Sequence, residues 1–297
     1  MRASPDATHR SRAVAIPHGA IRADALVHEL RLRPVGGDDN AFLLDTAGSL
    51  PPGDRANELL ARCLDEDDSA TLVSSLVVGD REALLLQLRR LTLGETLDCV
   101  LTCAVGECGE QMELELRVGE LLVTAYPDVR ATYDLAVDAA EPPLIVQFRL
   151  PTVADLREAE LGAGGDPEAV AGDLLARCVV AAHHGRGVVP VDRLGADVRE
   201  LIAAAMAERD PQAEIELDLT CPSCATSFTV VFDTATFLLK ELDARAMRLL
   251  EEVHALALHY HWSEREILAM APTRRERYLA LLADSLRGAD TAAYAAT

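Results

Sequence analysis

Apolar and polar positions alternate along this chain with two different periods. From Val27, HELRLRPVGGDDNAFLLDTA sets two apolar stretches on either side of GGDDN, the pattern of a strand hairpin. The stretch from Pro52 to Leu64 opens with Pro and Asp and carries Leu59, Leu60 and Cys63 on one helical face. VGDREALLLQLRRLTLGE then spaces Leu84, Leu85, Leu88 and Leu91 for a helix, with Gly94 placed to stop it. In the middle, YDLAVDAAEPPLIVQFRL reads as a strand pair whose turn is confined by Pro142 and Pro143. LPTVADLREAEL follows, in which Thr152 caps a helix and Asp155 puts acidic charge in its first turn. Two further helices are predicted near 167–182 and 195–208, separated by HHGRGVVPVD as a loop. From Ala235 the pattern is helical throughout: a long helix to about Tyr260, a short one from Ser263, and a third from about Thr273 to Leu286. Ser263 with Glu266 three residues on has the form of a capping box.

Both periods recur in one chain, so the fold class is α+β. The segments are a flexible tail over 1–20, an N-terminal α/β unit over 21–96, and strand pairs over 97–123 and 209–233. A mixed α/β insertion spans 124–208, a helical segment 234–288, and a short tail 289–297.

Composition narrows what such a fold does. Hydrophobic residues make up 49% of the 297, yet aromatics only 4%, so the cores are built from Leu, Val and Ala. With 49 acidic against 28 basic side chains the formal charge is −21, a field that repels nucleic acid and anionic membrane alike. Lys240 is the only lysine; the other bases are arginine. No apolar run reaches the ~18 to 20 residues of a membrane span, and the opening MRASPDATHRSR lacks the apolar core of a signal peptide, so a cytoplasmic protein is expected.

The chain's chemistry lies in a repeated phrase. LTCAVGECGEQMELEL begins at Leu101 and LTCPSCATSFTVVF at Leu219, each a strand, a cysteine knuckle and a strand. One knuckle supplies two thiolates, whereas a structural zinc ion takes four ligands in a tetrahedron. Cys103, Cys108, Cys221 and Cys224 together form the ligand set of a zinc ribbon split by about 110 residues. Reduced thiols in a metal-free ribbon are the alternative. Gly109 permits the tight backbone after the first knuckle, while Ala225 occupies the matching place in the second. A redox role for Cys221-x-x-Cys224 lacks the strand-to-helix context that lowers a thiol pKa. Cys63, Cys99 and Cys178 read as small core residues.

Little else suggests catalysis. Glu251 and His254 form a single Glu-x-x-His unit, where di-iron bundles use two. His259 and His261 are two apart and share no helical face, and His183 and His184 fall in the expected loop. Nucleophile elbows, phosphate-cradling loops and dinucleotide fingerprints are absent, and the chain is read as a non-enzyme. In the C-terminal tract, Tyr260, Trp262 and Tyr278 stand near Arg274, Arg275 and Arg277. That grouping reads either as a helical corner pinned by aromatic packing or as a partner surface, where Trp, Tyr and Arg are enriched.

At this tract the chain resembles a known family. FLLKELDARAMRLLEEVHALALHYHWSEREILAM, followed by TRRERYLALL, is similar to the C-terminal end of T4-type baseplate hub assembly proteins. These belong to contractile-tailed phages and phage-tail-like contractile injection systems. VGDREALLLQLRRLTLGE, the knuckle with CGEQMELEL, and RLPTVADL extend the resemblance over about residues 70–287. The absence of Gly after Cys224 departs from the usual knuckle. The resemblance implies an assembly chaperone or structural component whose partners are baseplate, hub and spike proteins. It points to Tyr260, His261, Trp262, Glu264, Arg274, Arg275 and Tyr278 as partner-binding, while the cofactor expected from the four cysteines is one structural Zn2+. A competing class is a zinc-ribbon adaptor in a transcription or other nucleic-acid complex, against which the charge weighs.

Overall fold

The computed structural model describes residues 11–22, 25–124, 126, 128–137 and 143–295, with backbone alone at 22 and 288–295. The chain divides into two compact units, Met1–Pro34 with Pro51–Leu238 and Val35–Leu50 with Leu239–Thr297. The fold is α+β, with small antiparallel sheets and C-terminal helices.

The larger unit opens with an antiparallel hairpin, β1 (Arg12–Arg22) and β2 (Ala25–Leu32), whose register shifts between Ala15 and Ala20. This corrects the expected tail over 1–20 from residue 12 onward; residues 1–10 lie outside the described residues. Val14, Ile16, His18 and Ala20 are buried at every second position, a strand period that the polar residues among them obscure. Helices α2 (Pro52–Cys63), α3 (Ser69–Ser75) and α4 (Val78–Leu93) follow; α3 has no counterpart in the sequence reading. Gly94 ends α4 at φ 101°, a conformation that glycine adopts without strain. Helix α4 is buried around most of its circumference, Asp80, Arg81, Glu82 and Arg89 included, so it is the central helix of the unit.

Two short sheets follow from the knuckle phrases: β3 (Thr96–Thr102) pairs with β4 (Gln111–Arg117), and β9 (Glu216–Thr220) pairs with β10 (Ser227–Val231). A one-turn helix, α5 (Val118–Leu121), closes the first hairpin. Their inward residues share a core of Leu97, Cys99, Leu114, Leu116, Leu217 and Phe232 with Leu86 of α4.

The intervening segment contains β5 (Tyr133–Val137) and β6 (Leu144–Phe148), paired as predicted. Of the expected turn, Pro142 lies outside the described residues. Helices α6 (Val153–Ala163) and α7 (Pro167–Cys178) come next. Thr152 caps α6, accepting from the Asp155 N–H while Asp155 accepts from the Thr152 N–H. The expected helix over 167–182 stops at Cys178, and its remainder is a strand, β7 (Val179–His184), that pairs with β6 and with β8 (Gly187–Val188). β-Branched Val179 and Val180 favour the change, as does a vacant sheet edge beside β6. His183 and His184 therefore stand on a strand and not in a loop. Helix α8 (Ala196–Arg209) packs Ile202 against Tyr133, Val146, Phe148 and Leu175.

In the smaller unit, the second half of the expected N-terminal hairpin is a helix, α1 (Gly37–Thr46). GGDDN starts it and does not turn a hairpin: Asp39 accepts the Gly36 N–H at 2.8 Å, and Asp38 and Asp39 put negative charge at the helix start. Gly37 sits close to Leu268, where an added Cβ would lie 3.7 Å from its side chain. Residues 35–50 thus cluster with the C-terminal helices and not with the rest of 21–96. Those helices are α9 (Thr234–Tyr260), α10 (Glu264–Leu268) and α11 (Pro272–Ala295). Ser263 and Glu266 form the anticipated capping box. Helix α11 runs past the expected end at 286–288 through most of the stretch read as a tail.

Candidate functional site

The two knuckles meet. Leu101 pairs with Met112 across the first hairpin and Leu219 with Phe228 across the second, so each cysteine loop begins two residues beyond an equivalent rung. Each loop closes on itself: the Cys103 N–H donates to the Glu110 carbonyl at 2.8 Å, and the Cys221 N–H to that of Thr226 at 3.0 Å. Gly109 and Ala225, each just after the second cysteine of its knuckle, both adopt left-handed backbone, at φ 62° and 56°. The repeat thus extends to backbone conformation, although its second copy lacks the glycine.

Across the knuckles, Cys103 Sγ lies 3.8 Å from Cys224 Sγ and Cys108 Sγ lies 3.8 Å from Cys221 Sγ. All four sulfurs fall within 4.8 Å of one another. Four sulfurs arranged tetrahedrally about an ion at about 2.3 Å would stand about 3.8 Å apart, so the donor set fits one soft divalent ion. Cys103 and Cys221 are buried, Cys108 is half-buried and Cys224 is exposed. Met112, Leu101, Val105 and Phe228 pack around the cluster and give it an apolar shell. The Thr226 hydroxyl and then its backbone N–H hold the Cys224 thiol down at about 6. The Val105 N–H also lowers Cys103, but burial and the three neighbouring thiols outweigh it and push that thiol up to about 12. A cation shared among them would relieve this mutual antagonism. Cys63 and Cys178 are fully buried and Cys99 nearly so, as core residues; burial pushes the Cys178 thiol up to about 11.

The C-terminal residues divide into two groups. Tyr260 and Trp262 stack with ring centroids 4.7 Å apart, and Tyr278 meets Trp262 edge-on at 4.8 Å. They pack with Val253, Leu256 and Ile267 at the helical corner. Arg275 is buried, donating to Glu252 at 3.0 Å and to the Met270 carbonyl at 2.7 Å. His261, Glu264 and Arg274 are exposed, with the Arg274 guanidinium over the Tyr278 ring at 5.8 Å. His261 lies past the end of α9 at φ 57°, where a glycine often ends a helix. Glu251 and His254 are exposed on α9. Among the described residues, the four cysteines are the only group of three or more His, Cys, Asp or Glu side chains close enough to hold a metal.

A second buried cluster escaped the sequence reading. Asp80, the third residue of α4, is wholly buried and accepts the backbone N–H groups of His18 and Gly19 at 3.2 and 3.0 Å. Asp210, just past α8, accepts the Gly79 N–H at 2.9 Å and lies 3.3 Å from His18 Nε2. Tyr126 meets the His18 ring edge-on at 5.0 Å. Burial, with the Asp210 charge adding to it, outweighs the backbone donors of His18 and Gly19 and the His18 charge, and pushes the Asp80 carboxyl up to about 6. Burial and the two carboxylates also raise the Tyr126 hydroxyl. These residues lie up to 192 positions apart and form no spacing motif. The nearest sequence signal was the phrase VGDRE, with an aspartate in the first turn of a helix.

The geometry defines an α+β protein whose two halves of a four-cysteine ribbon are separated by a complete four-stranded insertion. A family model described as T4 bacteriophage base plate protein matches residues 27–239, well over half of the chain, and the chain belongs to that family. The match takes in both knuckles and begins far upstream of residue 70, where the resemblance read from the sequence started; it ends before the tract of Tyr260 to Tyr278. No curated protein and no solved structure matches the chain. No helix among the described residues is long and apolar enough to cross a membrane.

Proposed function

We propose that this chain is a non-catalytic baseplate protein of a contractile tail or phage-tail-like contractile injection system. It acts in the cytoplasm, as an assembly chaperone or as a structural component, and its partners are hub, spike and other baseplate proteins. The family match over residues 27–239 carries the reading. Cys103, Cys108, Cys221 and Cys224 hold one structural Zn2+, a reading supported by the 3.8 Å sulfur separations across the knuckles. Four thiolates leave such an ion no open coordination position, so it fastens the ribbon and carries no substrate. With Tyr260, Trp262, Tyr278 and Arg275 packed into the helical corner, the exposed members of the expected partner-binding set are His261, Glu264 and Arg274.

Tagging the chain in cells that build the particle, and following it by mass spectrometry through sedimented particles and smaller complexes, tests the reading. Co-purification with hub or spike subunits only in the smaller complexes marks a chaperone, and presence in finished particles marks a component. Association with neither, or retention by nucleic acid with a steep salt dependence, overturns the proposal in favour of an adaptor role.

A further inference from the structure

The cluster of His18, Asp80 and Asp210 ties together three segments far apart in the chain: β1, the start of α4, and the residues just past α8. Between β1 and α4, the Asp80 carboxylate accepts the backbone N–H groups of His18 and Gly19. Two carboxylates and one imidazole are enclosed together, each nearly or wholly buried. If all three lost their dissociable protons, two negative charges would share a buried site with no cation, an arrangement that burial penalises heavily. Enclosing the Asp80 carboxyl beside Asp210 therefore favours its protonated form.

The surrounding groups do not supply the missing charge. Tyr126 faces His18 with a neutral ring. Arg81 and Glu82, next along α4, pair with each other, and Arg81 also donates to Asn57. His28 of β2 is exposed and bonds to the Pro17 carbonyl. Arg209 lies over the Tyr133 ring. Space is also constrained: a Cβ on Gly79 would fall 1.8 Å from Asp210 Oδ1, so the carboxylate is wedged against the backbone of α4.

We propose that His18, Asp80 and Asp210 form a proton-operated clasp that fastens the β1–β2 hairpin to α4 more tightly on mild acidification. Asp80 alone fixes the direction and window. Its folded value of about 6 lies above the usual 3.8, so its contribution to docking is greatest below about 4 and fades as pH rises through 6. For one proton, docking strengthens about tenfold between pH 7.5 and pH 5. Acidification ordinarily weakens protein structure, so the sign is diagnostic.

Amide hydrogen exchange on the full-length protein, read by mass spectrometry and corrected for intrinsic rates, tests this directly. Peptides from residues 12–32 are compared with peptides from β5 and β6, whose protection serves as the internal reference. The hairpin's protection relative to that sheet should rise about tenfold from pH 7.5 to pH 5. Asp80→Asn should abolish the rise, and Asp210→Asn, which removes the neighbouring charge that raises Asp80, should shrink it if the first variant does not fold. A hairpin that gains nothing over the sheet, or a gain undiminished in the folded variant, overturns the clasp.

Discussion

The cysteine cluster and the carboxylate clasp do the same mechanical job by different chemistry. Each joins segments more than a hundred residues apart, and each would be electrostatically unfavourable with all its acidic groups ionised and no cation present. For four sulfurs the fitting cation is a metal ion, which demands a fixed set of donors at fixed spacing. For two carboxylates and an imidazole the remedy is a proton, which demands only that the groups be enclosed together. The contrast explains why the first is written in the chain as a repeated phrase and the second is not.

Breaking the metal side should have the largest effect. Purified protein should contain about one zinc per chain, and combining Cys221→Ser with Cys224→Ser should remove it. Structural zinc sites contribute several kcal/mol or more to folding, so the melting temperature should fall by more than about 10 °C. A chelator should reproduce the fall in the native sequence. Unchanged zinc content in the double variant would show that these four cysteines are not the ligands.

That difference also sorts what was legible beforehand. Helices with strong periods and caps, such as α2, α4 and α6, stood out because a 3.6-residue pattern and a terminal Pro, Gly or Thr-x-x-Asp act locally. The ribbon could be read because Leu-Thr-Cys recurs before each knuckle. The errors came where tertiary context decided. GGDDN suits a turn or a helix start equally, and only packing against the C-terminal helices made α1 of it. Strand β1 hides its period because His18, a polar residue, fills a buried position. Residues 179–182 continue a helical pattern in sequence, yet β6 offered an edge to pair with. In the C-terminal tract the residue types suggested both readings, and packing placed Tyr260, Trp262 and Tyr278 in the corner.

Next in size is a steric test of the clasp. Gly79→Ala drives a Cβ to within 1.8 Å of an Asp210 carboxylate that its own bonds hold in place. Overpacking and the displaced bond should cost about 3 kcal/mol, measured by urea unfolding. Gly162→Ala in α6, where nothing lies within 4 Å of the new atom, should instead stabilise by about 0.5 to 1 kcal/mol. Equal effects from the two would mean that the clasp tolerates displacement and holds little together.

A third carboxylate runs the opposite way and sharpens the pH argument. Asp155 is buried enough to raise its pKa, but the Arg149 fork at 2.6 and 2.8 Å and the bonds from Thr152 outweigh burial and hold it down at about 2. Its folded value lies below the usual 3.8, so its contribution is full above that value and is lost as pH falls through 2. Asp155→Asn should therefore destabilise by about 1 to 2 kcal/mol at pH 7 and by almost nothing near pH 2. Asp80→Asn should show the opposite trend, with a penalty relative to the parent that grows between pH 7 and pH 4. Parallel pH profiles for the two variants would erase the distinction.

The smallest effect lies within the ribbon, where its two halves differ. Gly109 and Ala225 hold the same left-handed conformation, at φ 62° and 56°, but only the glycine does so without a Cβ penalty. Nothing lies within 4 Å of a Cβ added at Gly109, so any cost there comes from the backbone and not from a clash. Gly109→Ala should then destabilise, and Ala225→Gly should stabilise, each by about 1 kcal/mol or less, because glycine's greater freedom in the unfolded chain offsets part of the gain. Thermal melts of the two variants at saturating zinc read the signs. If both substitutions destabilise, the second knuckle has adapted to its alanine, and the halves of the ribbon are less alike than their backbones suggest.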